Sequence, residues 1–315
     1  MRKPSFWRSM KVQDHGGAMC AVAIAPDGTY YASGARDGFV YLKATDKPLT
    51  APSRSFIGHR GTVKKIAIAP DGTWMASASE DGTVRLWEID PAGLGRTDPA
   101  AASAVLTGHT SGVRGVAISP DGTWLASASE DGTVRLWNAD GTERAVLTGH
   151  DGTVFTVAIS PDGAWLASAS RDHTVRLWNA DGTERAVLTG HDGTAYSIAI
   201  SPDGTWLAAA FSDHTVRLWN IDGTERAVLT GHDGTVFAVA ISPDGAWLMS
   251  AGYDRTIRMW GADGTELDVL TGHAEEVFDV AIGPKGSRVV SVSDDASVRV
   301  WWTAAAELGI TVTIT

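Results

Sequence analysis

The sequence predicts an all-β fold, a seven-bladed β-propeller whose blades are four-stranded antiparallel sheets. Three observations predict it. Residues Glu143–Thr265 are three consecutive copies of one 41-residue unit, and a fixed period between 20 and 50 residues marks a repeat architecture. A histidine recurs in register at His15, His59, His109, His150, His191, His232 and His273, with steps of 44, 50, 41, 41, 41 and 41. Each is followed by a Pro-Asp-Gly turn, at Pro26, Pro70, Pro120, Pro161, Pro202 and Pro243, which becomes Pro284-Lys285-Gly286 in the last unit. Seven units use almost the whole chain, so residues 1–315 read as one domain rather than the two that length alone suggests.

Within a unit the strands follow from composition. VFTVAIS, AWLASAS, TVRLW and ERAVL are short and rich in β-branched or aromatic residues, which suit a pleated, packed surface. Pro-Asp-Gly, Arg-Asp-His and Ala-Asp-Gly separate them, and all three are turn text. Four short strands with a Gly-His at the start and a terminal Trp make one propeller blade.

These residues resemble the WD-repeat (WD40) family closely. Gly149-His150, Ser160-Pro161-Asp162-Gly163, Ala167-Ser168 and Asp172…Leu177-Trp178 fall in that family's order and spacing, and the likeness runs over about residues 6–302. Most units end Leu-Trp-Asn where the family often has Trp-Asp, and the first has Tyr41-Leu42-Lys43 with no Trp. The likeness is to bacterial-type rings with highly similar repeats.

Two segments compete to close the ring. Arg8–Asp14 aligns with the strand that precedes each Gly-His, while Glu307–Thr315 lies where the last unit would complete itself. The expectation is that the N-terminal strand, about residues 6–13, closes the last blade, with Ile310–Thr315 outside it or frayed. Insertions are expected as surface loops at about residues 90–102 and near Lys47–Pro52.

Net charge is −11, which argues against a general nucleic-acid binder, because that role needs a basic footprint. The chain has no apolar run long enough for a membrane helix and no secretion signal at its start. A single cysteine fits a reducing compartment, so a cytoplasmic, monomeric protein, or a module of a larger multidomain one, is expected.

One set of polar residues recurs in five units. It reads His59, Ser77, Asp81 and Trp87 in the first of them, then His109, Ser127, Asp131 and Trp137. It returns as His150, Ser168, Asp172 and Trp178, as His232, Ser250, Asp254 and Trp260, and as His273, Ser291, Asp295 and Trp301. One Ser, His and Asp invites a hydrolase reading, but five such sets on one scaffold do not. Buried polar groups at the loop end of a blade need partners, and the family resemblance implies a structural His–Ser–Asp–Trp hydrogen-bond network in each blade. The His15 unit has Lys43 for Trp and the His191 unit has Ala209 for Ser, so those blades are expected to be locally looser. His173 and His214 read as solvated turn residues rather than metal ligands. Trp74, Trp124, Trp165, Trp206 and Trp247 read as packing residues rather than a binding belt. No cofactor or metal is expected.

Variation between copies is concentrated. Glu143–Thr183 and Glu184–Thr224 differ at nine positions, seven of them at 154–157 and 168–171. The fifth residue after each His is Cys20, Lys64, Arg114, Phe155, Tyr196, Phe237 and Phe278; the residue before each network Asp is Arg36, Glu80, Glu130, Arg171, Ser212, Tyr253 and Asp294. The resemblance implies that both positions border the top of the central channel and contact peptide ligands. An aromatic arc of Phe155, Tyr196, Phe237 and Phe278 with Tyr253, bordered by Lys64, Arg114 and Arg171, is therefore the expected partner site, since aromatics and Arg carry interface energy. The reading that follows is a non-catalytic protein- or peptide-binding scaffold or signalling module. The alternative is a small-molecule or enzymatic site in the channel, which needs a non-repeated cluster of acids, bases or ligands, and none is visible in the sequence.

Overall fold

The computed structural model describes residues 7–13, 18–45, 53–90, 100–189 and 192–303. His15, His191, the smaller insertion near Lys47–Pro52, most of the 90–102 insertion and Ile310–Thr315 lie outside the described residues.

Among the described residues, twenty-eight strands form seven four-stranded sheets. After β1 (Trp7–Gln13), blade one is β2 (Met19–Ile24), β3 (Tyr30–Ala35), β4 (Val40–Ala44) and β5 (Arg54–Phe56). Blade two is β6 (Val63–Ile68), β7 (Trp74–Ser79), β8 (Val84–Glu88) and β9 (Ala104–Leu106). Blade three is β10 (Val113–Ile118), β11 (Trp124–Ser129), β12 (Val134–Asn138) and β13 (Glu143–Leu147). Blade four is β14 (Val154–Ile159), β15 (Trp165–Ser170), β16 (Val175–Asn179) and β17 (Glu184–Leu188). Blade five is β18 (Ala195–Ile200), β19 (Trp206–Phe211), β20 (Val216–Asn220) and β21 (Glu225–Leu229). Blade six is β22 (Val236–Ile241), β23 (Trp247–Gly252), β24 (Ile257–Gly261) and β25 (Glu266–Leu270). Blade seven takes three strands from the end of the chain, β26 (Val277–Ile282), β27 (Arg288–Ser293) and β28 (Ser297–Thr303), and β1 as its outer strand. β1 runs antiparallel to β28 in unbroken register from Trp7 opposite Thr303 to Gln13 opposite Ser297.

The first strands lie side by side around the centre, β2 against β6, β6 against β10 and so on to β26, which returns to β2. Both faces of each sheet are therefore covered by neighbouring blades, which explains the wholly buried second strands, such as WLASAS of β15. Each core cluster is shared: Ala126, Val134 and Leu147 of blade three pack with Val157, Leu166 and Trp178 of blade four. Fully burying one such Val or Leu contributes about 1.5–3 kcal/mol, and these shared clusters join each blade to the next. Trp124, Trp165, Trp206 and Trp247 are buried in these clusters, with Arg144, Arg185 and Arg226 stacked on the first three.

One irregularity is repeated seven times. Every first strand carries a bulge against its second strand, between Met19 and Ala21, Val63 and Lys65, Val113 and Gly115, Val154 and Thr156, Ala195 and Ser197, Val236 and Ala238, and Val277 and Asp279. A bulge inserts one unpaired residue and re-aims its side chain. The skipped residues are Cys20, Lys64, Arg114, Phe155, Tyr196, Phe237 and Phe278, which places a variable position of the repeat outside the ladder.

Candidate binding face

The repeated polar residues form closed hydrogen-bond brackets. In blade two, the His59 Nδ1 lies 2.9 Å from Asp81 and Nε2 lies 2.7 Å from the Ser77 hydroxyl, which accepts the Trp87 indole N–H at 2.8 Å. Blade three repeats this: His109 is 2.8 Å from Asp131 and 2.8 Å from Ser127, and Trp137 donates to Ser127 at 2.8 Å. In blade four His150 is 2.8 Å from Asp172 and 2.7 Å from Ser168, with Trp178 donating to Ser168. In blade six His232 is 2.9 Å from Asp254 and 2.7 Å from Ser250, and Trp260 donates to Ser250 at 2.8 Å. In blade seven His273 is 3.2 Å from Asp295 and 2.7 Å from Ser291, and Trp301 donates to Ser291 at 2.8 Å. Each carboxylate also accepts the backbone N–H of the residue after the His. Its other oxygen takes a hydroxyl two residues on, from Thr83, Thr133, Thr174, Thr256 or Ser297. Sequence reasoning missed this fifth member, although Asp-Xaa-Thr recurs in four of the units that carry it and Asp-Xaa-Ser in the fifth.

Charge follows from these contacts. Burial pushes the His59, His109 and His150 imidazoles below their ordinary value, against the pull of their aspartates. For Asp81, Asp131 and Asp295 burial acts to raise the carboxyl, but the hydrogen bonds outweigh it and hold each at about 2. His59, His109 and His150 are therefore held neutral, with Nδ1–H donating to a carboxylate and Nε2 accepting from Ser. Ser77, Ser127, Ser168, Ser250 and Ser291 have no exposed surface, and Trp87, Trp137, Trp178, Trp260 and Trp301 are buried over them, so no substrate reaches these hydroxyls. A Ser–His–Asp set in this state braces a loop against a strand and is not an acyl-transfer centre.

The bulge residues meet in one place. Phe155, Tyr196, Phe237 and Phe278 line one side of a cavity of about 280 Å³, and Cys20, Arg36, Lys64 and Arg114 line the other. The aromatic side is a continuous chain: centroids are 4.8 Å apart for Phe155–Tyr196, 5.7 Å for Tyr196–Phe237 and 5.5 Å for Phe237–Phe278, all tilted or edge-on. Such geometries are the attractive ones for aromatic pairs. Arg36 lies over Phe278 at 5.8 Å and continues the arc. On the polar side each cation holds an acid: Lys64 Nζ is 2.8 Å from Glu80, Arg114 Nε donates to Glu130 at 2.7 Å, and Arg36 is 2.7 Å from Asp294. The mouth is thus two-faced, one half apolar and the other an alternating, internally neutralised set of charges.

A model of the family described as "WD domain, G-beta repeat" matches residues 7–42, 50–88, 102–138, 141–179, 182–220, 223–261 and 264–301. The chain belongs to the WD40 family. A search of curated proteins found no match.

The WD40 ring does not bring all the expected site residues together. Tyr253 is 56% exposed, Arg171 is exposed, and neither lines the cavity. The Tyr253 ring lies against Gly234, where an added Cβ would stand 2.8 Å from its Cδ1. Cys20 and Arg36, which the expected arc did not include, do line the cavity. Their register, fifth after His15 and immediately before Asp37, was the available signal. Among the described residues no group of three or more His, Cys, Asp or Glu could hold a metal ion. His173 and His214 are turn residues outside the core, with left-handed φ of 61° and 71°.

Proposed function

We propose that this ring is a non-catalytic docking module that receives one anchor side chain of a protein or peptide in the mouth of its central channel. WD40 propellers generally serve as protein-interaction scaffolds. The observation that carries the reading for this mouth is the cavity's division into an aromatic chain and a paired-charge rim. Its volume of about 280 Å³ is at or below the low end of small-molecule sites, about 300–1,000 Å³, and suits a single large apolar or aromatic side chain. The four aromatic faces supply area at low entropy cost, and the charged rim can hydrogen-bond the backbone on either side of the anchor. Variation among otherwise near-identical copies is concentrated in two short windows, one of which contains the aromatic position of this mouth.

Affinity capture with the isolated ring, compared with its F155A/Y196A/F237A form, tests this. Partners held by the parent ring and lost by the folded triple variant support the reading. Equal retention of the same partners by both forms overturns it.

A further inference from the structure

Directly below the bulge, the first strands place one more residue in register: Ala21, Lys65, Gly115, Thr156, Ser197, Ala238 and Asp279. Five of the seven are small or hydroxylic. The one base and the one acid meet. Lys65 Nζ, in blade two, donates to both oxygens of Asp279, in blade seven, at 2.9 Å each. Blade one stands between those two blades, and Asp279 also accepts the backbone N–H of its Val22 at 3.0 Å. The Asp279 side chain is 6% exposed and that of Lys65 32%. At this level blade one offers only the methyl group of Ala21, itself fully buried.

Blade one needs such help. It has Lys43 where five other blades have the Trp of the polar bracket, and its Ser33 hydroxyl is buried with no hydrogen-bond partner among the described residues. Its fourth strand, like that of blade two, has three residues, against five in blades three to six. It also adjoins the seam where the chain's two ends meet. A second ion pair, Arg36 to Asp294, links blade one to blade seven alone.

We propose that Lys65 and Asp279 form a clasp across blade one, holding it in the ring by joining the two blades on either side of it. The clasp carries geometry that a repeated network cannot. Near-identical brackets do not distinguish one neighbour from another, and a buried or half-buried charge pair is best attested as a device of registry. With the pair broken, blade one is the first part of the ring to open, a local opening distinct from global unfolding. Because Lys64 and Phe278 precede the clasp residues in the chain, an opening of this kind also parts Lys64, Cys20 and Phe278 at the mouth.

Native-state hydrogen exchange on the full chain tests it, with K65M, D279N and the double variant. K65M keeps the stem and leaves Asp279 its Val22 bond; D279N removes the charge but keeps an oxygen for that bond. The expected result is exchange in β2 and β3 several-fold faster in either single variant, unchanged exchange in β14 and β15, and no further gain in the double variant. K65R, which restores the cation, returns β2 to parental exchange. Unchanged exchange in blade one, or an equal rise in blades one and four, overturns the proposal. So does an additive effect in the double variant.

Discussion

Trp178 donates its indole N–H to the hydroxyl of Ser168 at 2.8 Å, and that hydroxyl lies 2.7 Å from the His150 Nε2. One buried oxygen therefore satisfies two rings from two different segments of the blade. Replacing Ser168 with Ala leaves both nitrogens without it, and an unsatisfied buried group costs about 1–3 kcal/mol. S168A is expected to lose an amount near the upper end of that range in denaturant unfolding. Ser33 is the internal control. Its buried hydroxyl has no partner among the described residues, so S33A is expected to be neutral or slightly stabilising. Equal losses from the two substitutions would show that the bracket contributes nothing beyond packing.

Much of this was legible from the chain itself. The seven-fold spacing of the register histidines and of the Pro-Xaa-Gly turns gives blade number because each turn type needs its own residue, and the β-rich text between them gives strands. The polar bracket was legible because five copies of one residue set cannot be five reactive centres. What spacing could not supply was the bulge. A single unpaired residue in VFTVAI leaves no mark on composition, yet it decides that Phe155 leaves the ladder while Val154 and Val157 are buried. The acid–base pairing of the rim was equally hidden. Lys64 and Glu80 are sixteen positions apart, and only the fold places them 2.8 Å from each other.

Protonation of the brackets sets a pH dependence. The folded imidazoles of His59, His109 and His150 lie below the ordinary value of 6.5, so between 6.5 and the folded value the unfolded chain binds more protons. Stability is then fully present above 6.5 and falls as the pH drops below it. A second loss comes only in strong acid, as Asp81, Asp131 and Asp295, depressed to about 2, are protonated. The thermal midpoint is expected to fall between pH 7 and pH 5. In H150Q that slope is expected to be shallower, and an unchanged slope in the variant would count against the assignment.

Ala296 occupies a left-handed turn, with φ of 58°, at the place where blades one to three have Gly38, Gly82 and Gly132. A Cβ in this region clashes with the following carbonyl at a cost of about 1–2 kcal/mol, offset in part by the extra freedom glycine gives the unfolded chain. A296G is therefore expected to stabilise the ring by up to about 1 kcal/mol in urea unfolding. The same change at Ala128, a buried β11 residue, is expected to destabilise instead. A loss of stability from A296G would mean that the turn is not strained.

Removal of residues 1–13 probes ring closure. β1 is the only described strand paired with the outer side of β28, over seven residue pairs. Trp7 adds an edge-on contact with Trp247 of blade six at 6.3 Å between centroids, and Ser9 accepts from Arg299 at 3.2 Å. The truncated chain keeps every polar bracket but presents the N–H and C=O groups of β28 to solvent. An exposed strand edge is a template for pairing with a second chain. The expected outcome is a clear fall in thermal midpoint together with concentration-dependent dimers in light scattering. A truncated ring that melts at the parental temperature and stays monomeric would mean that blade seven is complete without β1, and that its outer edge is covered from elsewhere in the chain.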